Sequence, residues 1–407
     1  MPVSGQTSLL DNKVNRLFNY PLTIRQQIWL HYILPALTAS TICTLNLGCD
    51  LGVALMLLNH RKLFAGGLAT LTLMYLPAAV LYLRQISEPP ADNSFKTRAK
   101  WITAETGYLV VFPLRLVRHW TTKLFWVIEI LRDVENNEEN LRNYEASSTE
   151  PALTYMFAMI FLQNIPQAIL QIYLLARGTA NSTAINTAQC ICAFVSLVAG
   201  SVGVAAYHRY ESQVVGGRPP VWPTTQTKNH NLSGCQSQPL VPTQQSWKKG
   251  LEEDTAVGKC FLTLFWFLFL LGRALAVGIM FRFYPKICIL VLNLHVIIFY
   301  LYYSTYSSVN IFNKIFLACT STVMILEVGI NFNRTVYLYM LFIVSSVVEN
   351  VGFTIMWYVW GGWRGRWFNY AAYAAINCHL FALIVFAYYM AFKQPRTVHV
   401  RNNLNAS

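Results

Sequence analysis

Apolar residues in this chain come in long runs separated by polar stretches. Ten runs stand out, at residues 33–58, 65–83, 103–118, 153–175, 185–207, 260–281, 287–306, 311–330, 336–360 and 368–392. A helix needs about 20 apolar residues to cross the hydrocarbon core of a bilayer, and most of the runs suit that task. Two do not. The run at 103–118 is short and holds Glu105, Arg115 and Arg118, and the run at 311–330 holds Lys314 and Glu327. Charged or irregular segments persist at membrane depth only where protein or water covers them. These two are therefore predicted as re-entrant or half-buried helices. The pattern predicts an all-α polytopic membrane protein with eight transmembrane helices and two partial ones.

The polar stretches divide the chain further. Trp120, Leu124, Ile128 and Leu131 recur at helical spacing, with Lys123, Glu129 and Arg132 elsewhere on the wheel. That spacing predicts an interfacial helix over 120–132. Residues 133–150 are acidic and polar and read as a solvated loop. The stretch 211–258 is rich in Pro, Gln, Gly, Ser and Thr and reads as a flexible cytosolic linker. The predicted order is a cytosolic N-terminus (1–32), a first membrane repeat (33–207) with a cytosolic insert (84–152), a cytosolic linker (208–259), a second membrane repeat (260–392) and a cytosolic tail (393–407).

Composition and charge sharpen this picture. Of 407 residues, 55% are hydrophobic and 12% charged, yet the net charge is +13. An average soluble domain has about 25% charged residues. A soluble enzyme and a nucleic-acid binder are both excluded as classes on that scarcity. With the N-terminus in the cytosol, 23 of the 31 Lys and Arg fall inside and 7 in outside loops. This is the positive-inside bias of inserted proteins, and it places both termini in the cytosol. Residues 1–32 carry no apolar run of the signal-peptide kind, so the first span serves as its own signal. Asn181-Ser182-Thr183 falls in an outside loop and is a candidate glycosylation site. The nine cysteines lie mostly in apolar runs and read as small packed hydrophobes. Cys190 and Cys192 lack the spacing and His partners of a zinc site.

The two halves resemble each other. Residues 47–55, LGCDLGVAL, lie on 271–279, LGRALAVGI, and Gln163-Asn164-Ile165 lies on Glu349-Asn350-Val351. Four crossings per half predict a parallel repeat about an axis along the membrane normal. Four ionisable residues interrupt apolar runs: Asp50, Arg273, Glu327 and Glu349. A charge near the bilayer centre costs at least about 2.5–3.5 kcal/mol. Two readings stay open: a polar track for headgroups or ions, and a buried structural pair such as Asp50 with Arg273. Pro166 breaks the fourth run within QNIPQ, and Gln163, Asn164, Gln167 and Gln171 surround that break. Gln163, Gln167 and Gln171, at i, i+4 and i+8, form a stripe for a helix neighbour or a wet cleft. His295 and His379 read as satisfied core histidines. No Walker loop, HExxH, GxSxG or CxxC occurs, so no enzyme activity, metal or other cofactor is expected.

The order of these landmarks resembles the XK and XK-related membrane protein family, and its wording and loop lengths are similar to insect members. The stretches that carry the resemblance are LNLGCDLGVAL (45–55), FPLRLV (112–117), FLQNIPQAILQIYLL (161–175), AYHRY (206–210), LGRALAVGIMFRFYP (271–285) and VVENVGFTIMWYVW (347–360). The resemblance implies two repeats, cytosolic termini and partly inserted helices. It implies a plasma-membrane phospholipid scramblase that exposes phosphatidylserine on apoptotic cells, with headgroups following intramembrane charges. Asp50, Arg273 and Glu349 stand where such charges are kept, while Asn46, Met159 and Gln163 replace acids of scrambling members. Asp11 and Asp254 are the loop acids with some likeness to caspase sites, and the tail after Pro395 has no Asp. The candidate lipid path comprises Asp50, Gln163, Asn164, Gln167, Arg273, Glu327 and Glu349, with phospholipids as partners. The alternative is a non-transporting adaptor that docks a single-pass or lipid-transfer protein. An ion or amino-acid transporter has only the polytopic pattern behind it.

Overall fold

The computed structural model describes residues 16–17, 20–87, 95–132, 139–140, 143–144, 157–178, 182–213, 247–251, 256–306, 311–324, 335–361, 365–393 and 397–401. Among the described residues, eight helices are long and apolar enough to cross a membrane. They are Leu34–Leu58, Phe64–Leu83, Phe157–Arg177, Thr183–His208, Val257–Phe283, Pro285–Thr305, Met340–Trp360 and Arg366–Phe392. Their edges fall within about one helical turn of the eight crossing runs read from the sequence. The chain is an all-α polytopic membrane protein.

The first half contains a short helix α1 (Ile24–Ile28), then α2 (Leu34–Leu58), α3 (Phe64–Ser87), α4 (Phe95–Val110), α5 (Phe112–Arg132), α6 (Ile165–Arg177) and α7 (Thr183–Gln213). Thr23 caps α1 by a reciprocal bond pair with Gln26, which satisfies donors that a helix start leaves free. The second half contains α8 (Ala256–Phe283), α9 (Pro285–Tyr306), α10 (Ile311–Thr320), α11 (Thr335–Trp360) and α12 (Arg366–Tyr388). Each half runs crossing, crossing, non-crossing helix, crossing, crossing, with α4 and α5 filling the middle place in the first half.

α8 is the hub. It packs on α6 and α7 of the first half and on α9, α11 and α12 of its own. Its composition explains this, since it is apolar all round and Leu262, Phe265, Trp266, Phe269, Ala276, Ile279 and Met280 are fully enclosed. Lipid tails are as apolar as these side chains, so close van der Waals fit and hydrogen bonds hold such helices together rather than the hydrophobic effect.

Pro166 does not break its helix. The turn before it, Ile160–Asn164, widens to π-helical form, and α6 continues from Ile165. A π turn is a usual way to absorb the carbonyl that proline leaves without a donor. Gly178, in the left-handed conformation at φ 63°, ends α6. Asn181 and Glu327 lie outside the described residues.

Both partial segments fall among the helices that are too short or too polar to cross. The run at 103–118 is split at Val111 between α4 and α5, just before Pro113. The junction docks on α3, where Phe112 packs with Met74 and Ala78. The run at 311–330 begins as the ten-residue α10, which packs along α9. Two strand pairs complete the described structure. Arg16–Leu17 pairs with Tyr20–Pro21, and Trp247–Leu251 pairs with Thr397–Arg401. The second pair joins the linker read as flexible to the C-terminal tail, which places those two stretches on one side of the membrane.

The helix read over 120–132 is the second part of α5, and it has a protein-facing side besides the apolar stripe read from the spacing. Leu116, Trp120, Lys123, Val127 and Ile130 are buried against α1, α2 and Met159, while Ile128 and Leu131 are exposed. Apolar residues lie on two sides of this helix, and spacing alone does not say which side meets protein. Lys123 is buried because its ammonium sits 5.6 Å from the centres of the Trp120 and Tyr144 rings. Burial, and the Lys123 charge beside it, push His119 down to about 4. The folded protein keeps His119 neutral, whereas the unfolded chain takes its proton near pH 6.5. His119 thus weakens the fold as pH falls from about 6.5 toward about 4. The melting temperature of solubilised wild-type protein should drop over that interval, and His119→Phe should drop less.

Candidate functional site

Polar side chains inside the spans gather in two clusters, one per half. In the first half, Asp50 on α2 accepts from Gln163 Nε2 at 2.8 Å and from Cys192 Sγ of α7 at 3.2 Å. Gln167 Nε2 reaches Cys192 Sγ at 3.8 Å. One turn back on α2, Asn46 donates to Asn164 Oδ1 at 3.1 Å and accepts from Ser196 Oγ at 3.1 Å. Gln171 donates to Thr70 Oγ1 of α3 at 3.0 Å. The side-chain oxygens of Gln163, Gln167 and Gln171 have no donor among the described residues. The glutamine stripe thus presents a file of free acceptors beside a buried carboxylate, with Asp50 and all three glutamines fully enclosed.

In the second half, Arg273 on α8 donates to Asn350 Oδ1 of α11 at 2.8 Å and stands 3.6 Å from Glu349 Oε1. Asn350 Nδ2 is 2.9 Å from His379 Nε2 on α12, and His379 Nδ1 is 2.7 Å from the Ala375 carbonyl. Glu349 Oε2 lies 3.0 Å from His295 Nδ1 on α9. The two clusters follow one plan. Gln163 and Asn164 align with Glu349 and Asn350, and each pair ties the first helix of its half to the fourth. The fifth helix adds Cys192 in one half and His379 in the other.

Six of the seven lip path candidates from the sequence therefore fall into these clusters, and Glu327 lies outside the described residues. The suggested Asp50–Arg273 pair does not form. Each charge is held within its own half, Asp50 by neutral donors and Arg273 by Glu349 and Asn350. The two stand at near-corresponding positions of the repeat, and such positions are related by its axis, so that likeness gives no reason for contact. Cys192, Ser196 and Thr70 were missed because small polar residues in an apolar run carry little signal. His379 is a satisfied core histidine as read. No group of three or more His, Cys, Asp or Glu able to hold a metal occurs among the described residues.

Eight apolar crossings around two enclosed polar clusters define a multi-pass helical membrane protein. A model of the XK-related protein family matches residues 36–222. Residues 36–222, just under half of the chain, are similar to that family. The match covers α2 to α7, and the resembling stretches at 271–285 and 347–360 lie beyond it. No curated protein matches the chain.

Proposed function

We propose that this protein lets phospholipids pass between the leaflets of the plasma membrane down their gradient and so exposes phosphatidylserine. The observation that carries the reading is the charged cluster kept inside each membrane half of a chain so poor in charge. Each intramembrane charge costs at least about 2.5–3.5 kcal/mol to insert. Headgroups would move along the acceptor file of Gln163, Gln167 and Gln171 beside Asp50, while acyl tails stay in lipid. Weak contacts at several places suit passage better than one tight site. The file is enclosed by α2, α3, α6 and α7, so transport requires these helices to part, and the trigger acts on that step.

A second reading has its own support. Every polar group of the two clusters is covered by protein, as it would be in an adaptor whose polar core only fixes the fold. That adaptor would dock a lipid-transfer or single-pass protein. Asp50→Asn keeps the shape and removes the charge. Transport through the file should then slow phosphatidylserine exposure at least several-fold at equal surface expression, read by annexin binding to cells. Unchanged exposure would remove Asp50 from the path.

A further inference from the structure

His295 connects two elements other than its own. Its Nδ1 lies 3.0 Å from Glu349 Oε2 on α11, and its Nε2 lies 3.1 Å from the carbonyl oxygen of Ser321, just past the end of α10. A carbonyl oxygen only accepts, so Nε2 carries a proton. The other contact closes only with a second proton between ring and carboxyl group. That proton sits on Nδ1 with Glu349 ionised, or on Glu349 with the ring neutral. Without it, two lone pairs face each other at hydrogen-bond distance.

His379 shows the opposite arrangement. The Ala375 carbonyl requires a proton on its Nδ1. Asn350 has its oxygen committed to Arg273, so its amide N–H faces His379 Nε2. With one acceptor and one donor, His379 is satisfied as a neutral ring. His295, with two acceptors, is not.

The place of this contact matters. His295 is ten residues along α9, or about 15 Å at 1.5 Å per residue, against a hydrocarbon core of about 30 Å. The end of α10 is therefore held near mid-membrane. The last carbonyls of a helix have no partner within it, and water is scarce at that depth. Their partial negative charge also favours a cation there.

We propose that His295 and Glu349 form a proton-binding site whose occupancy anchors the partial helix α10 inside the membrane. Arg273 stands 3.6 Å from Glu349 Oε1, the carboxylate oxygen that does not face the ring. Among the described residues, the other titratable groups around the site are buried Cys288 on α9, which feels both Glu349 and Arg273, and His379 on α12 beyond Arg273. α10 itself brings half-buried Lys314 and exposed Cys319. When the proton leaves, the ring turns from the carboxylate and releases Ser321.

Hydrogen–deuterium exchange of the full-length protein in lipid nanodiscs, corrected for intrinsic rate, tests this at about pH 6 and about pH 9. Protection of 311–324 should fall about tenfold at the higher pH, the effect of one charge-assisted hydrogen bond, while α6 stays unchanged. In Glu349→Gln the amide N–H replaces the proton toward a neutral His295, so protection should stay high at both values. In His295→Phe it should be low at both. Equal wild-type protection at the two values overturns the proposal, and so does a pH response that persists in either variant.

Discussion

Arg273→Met should be the most damaging single change in the second half, lowering stability by about 3–5 kcal/mol, the usual result of removing one partner of a buried ion pair. The variant leaves Glu349 enclosed without its nearest fixed cation and Asn350 Oδ1 without its donor. A neutral contact is a different matter. Thr70→Val removes the partner of Gln171, and hydrogen bonds between membrane helices average only about 0.6 kcal/mol. Thermal unfolding in one fixed detergent and lipid mixture should rank the two in that order. Arg273→Met with Glu349→Met should recover part of the loss, because no charge is then left unpaired. An Arg273→Met curve that overlays wild type would contradict the role assigned to this pair.

Gly272→Ala should lower stability by about 1–3 kcal/mol, as overpacking does. A Cβ at Gly272 would run into the His379 ring and lie 3.2 Å from the Ala375 carbonyl. The ring is held at both nitrogens and cannot swing aside without giving up both contacts. Gly48 is the matching position of the first half, and a Cβ there meets nothing within 4 Å. Gly48→Ala should therefore stay within about 0.5 kcal/mol of wild type. Equal effects in the two variants would mean that α8 and α12 can separate without loss.

The contrast between these glycines shows what the sequence could carry. Ten apolar runs made the spans legible, and the charges at Glu105 and Lys314 marked the segments that do not cross. The polar residues of the site were legible for the same reason, since Asp50, Gln163 and Glu349 stand out against apolar neighbours. Their partners were not. The repeat aligns Gly48 with Gly272 and suggested joining Asp50 to Arg273, yet sequence likeness does not specify which helices touch. The buried face of α5 was hidden because Ile128 and Val127 are equally apolar, and only the position of α2 decides between them. Cys192 looked like a packing residue, and its bond to Asp50 depends on where α7 lies.

The proposal that this protein moves phospholipids has a direct test. Purified wild-type protein reconstituted into liposomes with a headgroup-labelled fluorescent phospholipid tests it most directly, with dithionite added outside before and after caspase treatment. The fluorescence in at least one of these states should fall well below the level left in protein-free vesicles, where the inner leaflet is protected. Fluorescence that holds at the protein-free level in both states would contradict it and leave the adaptor.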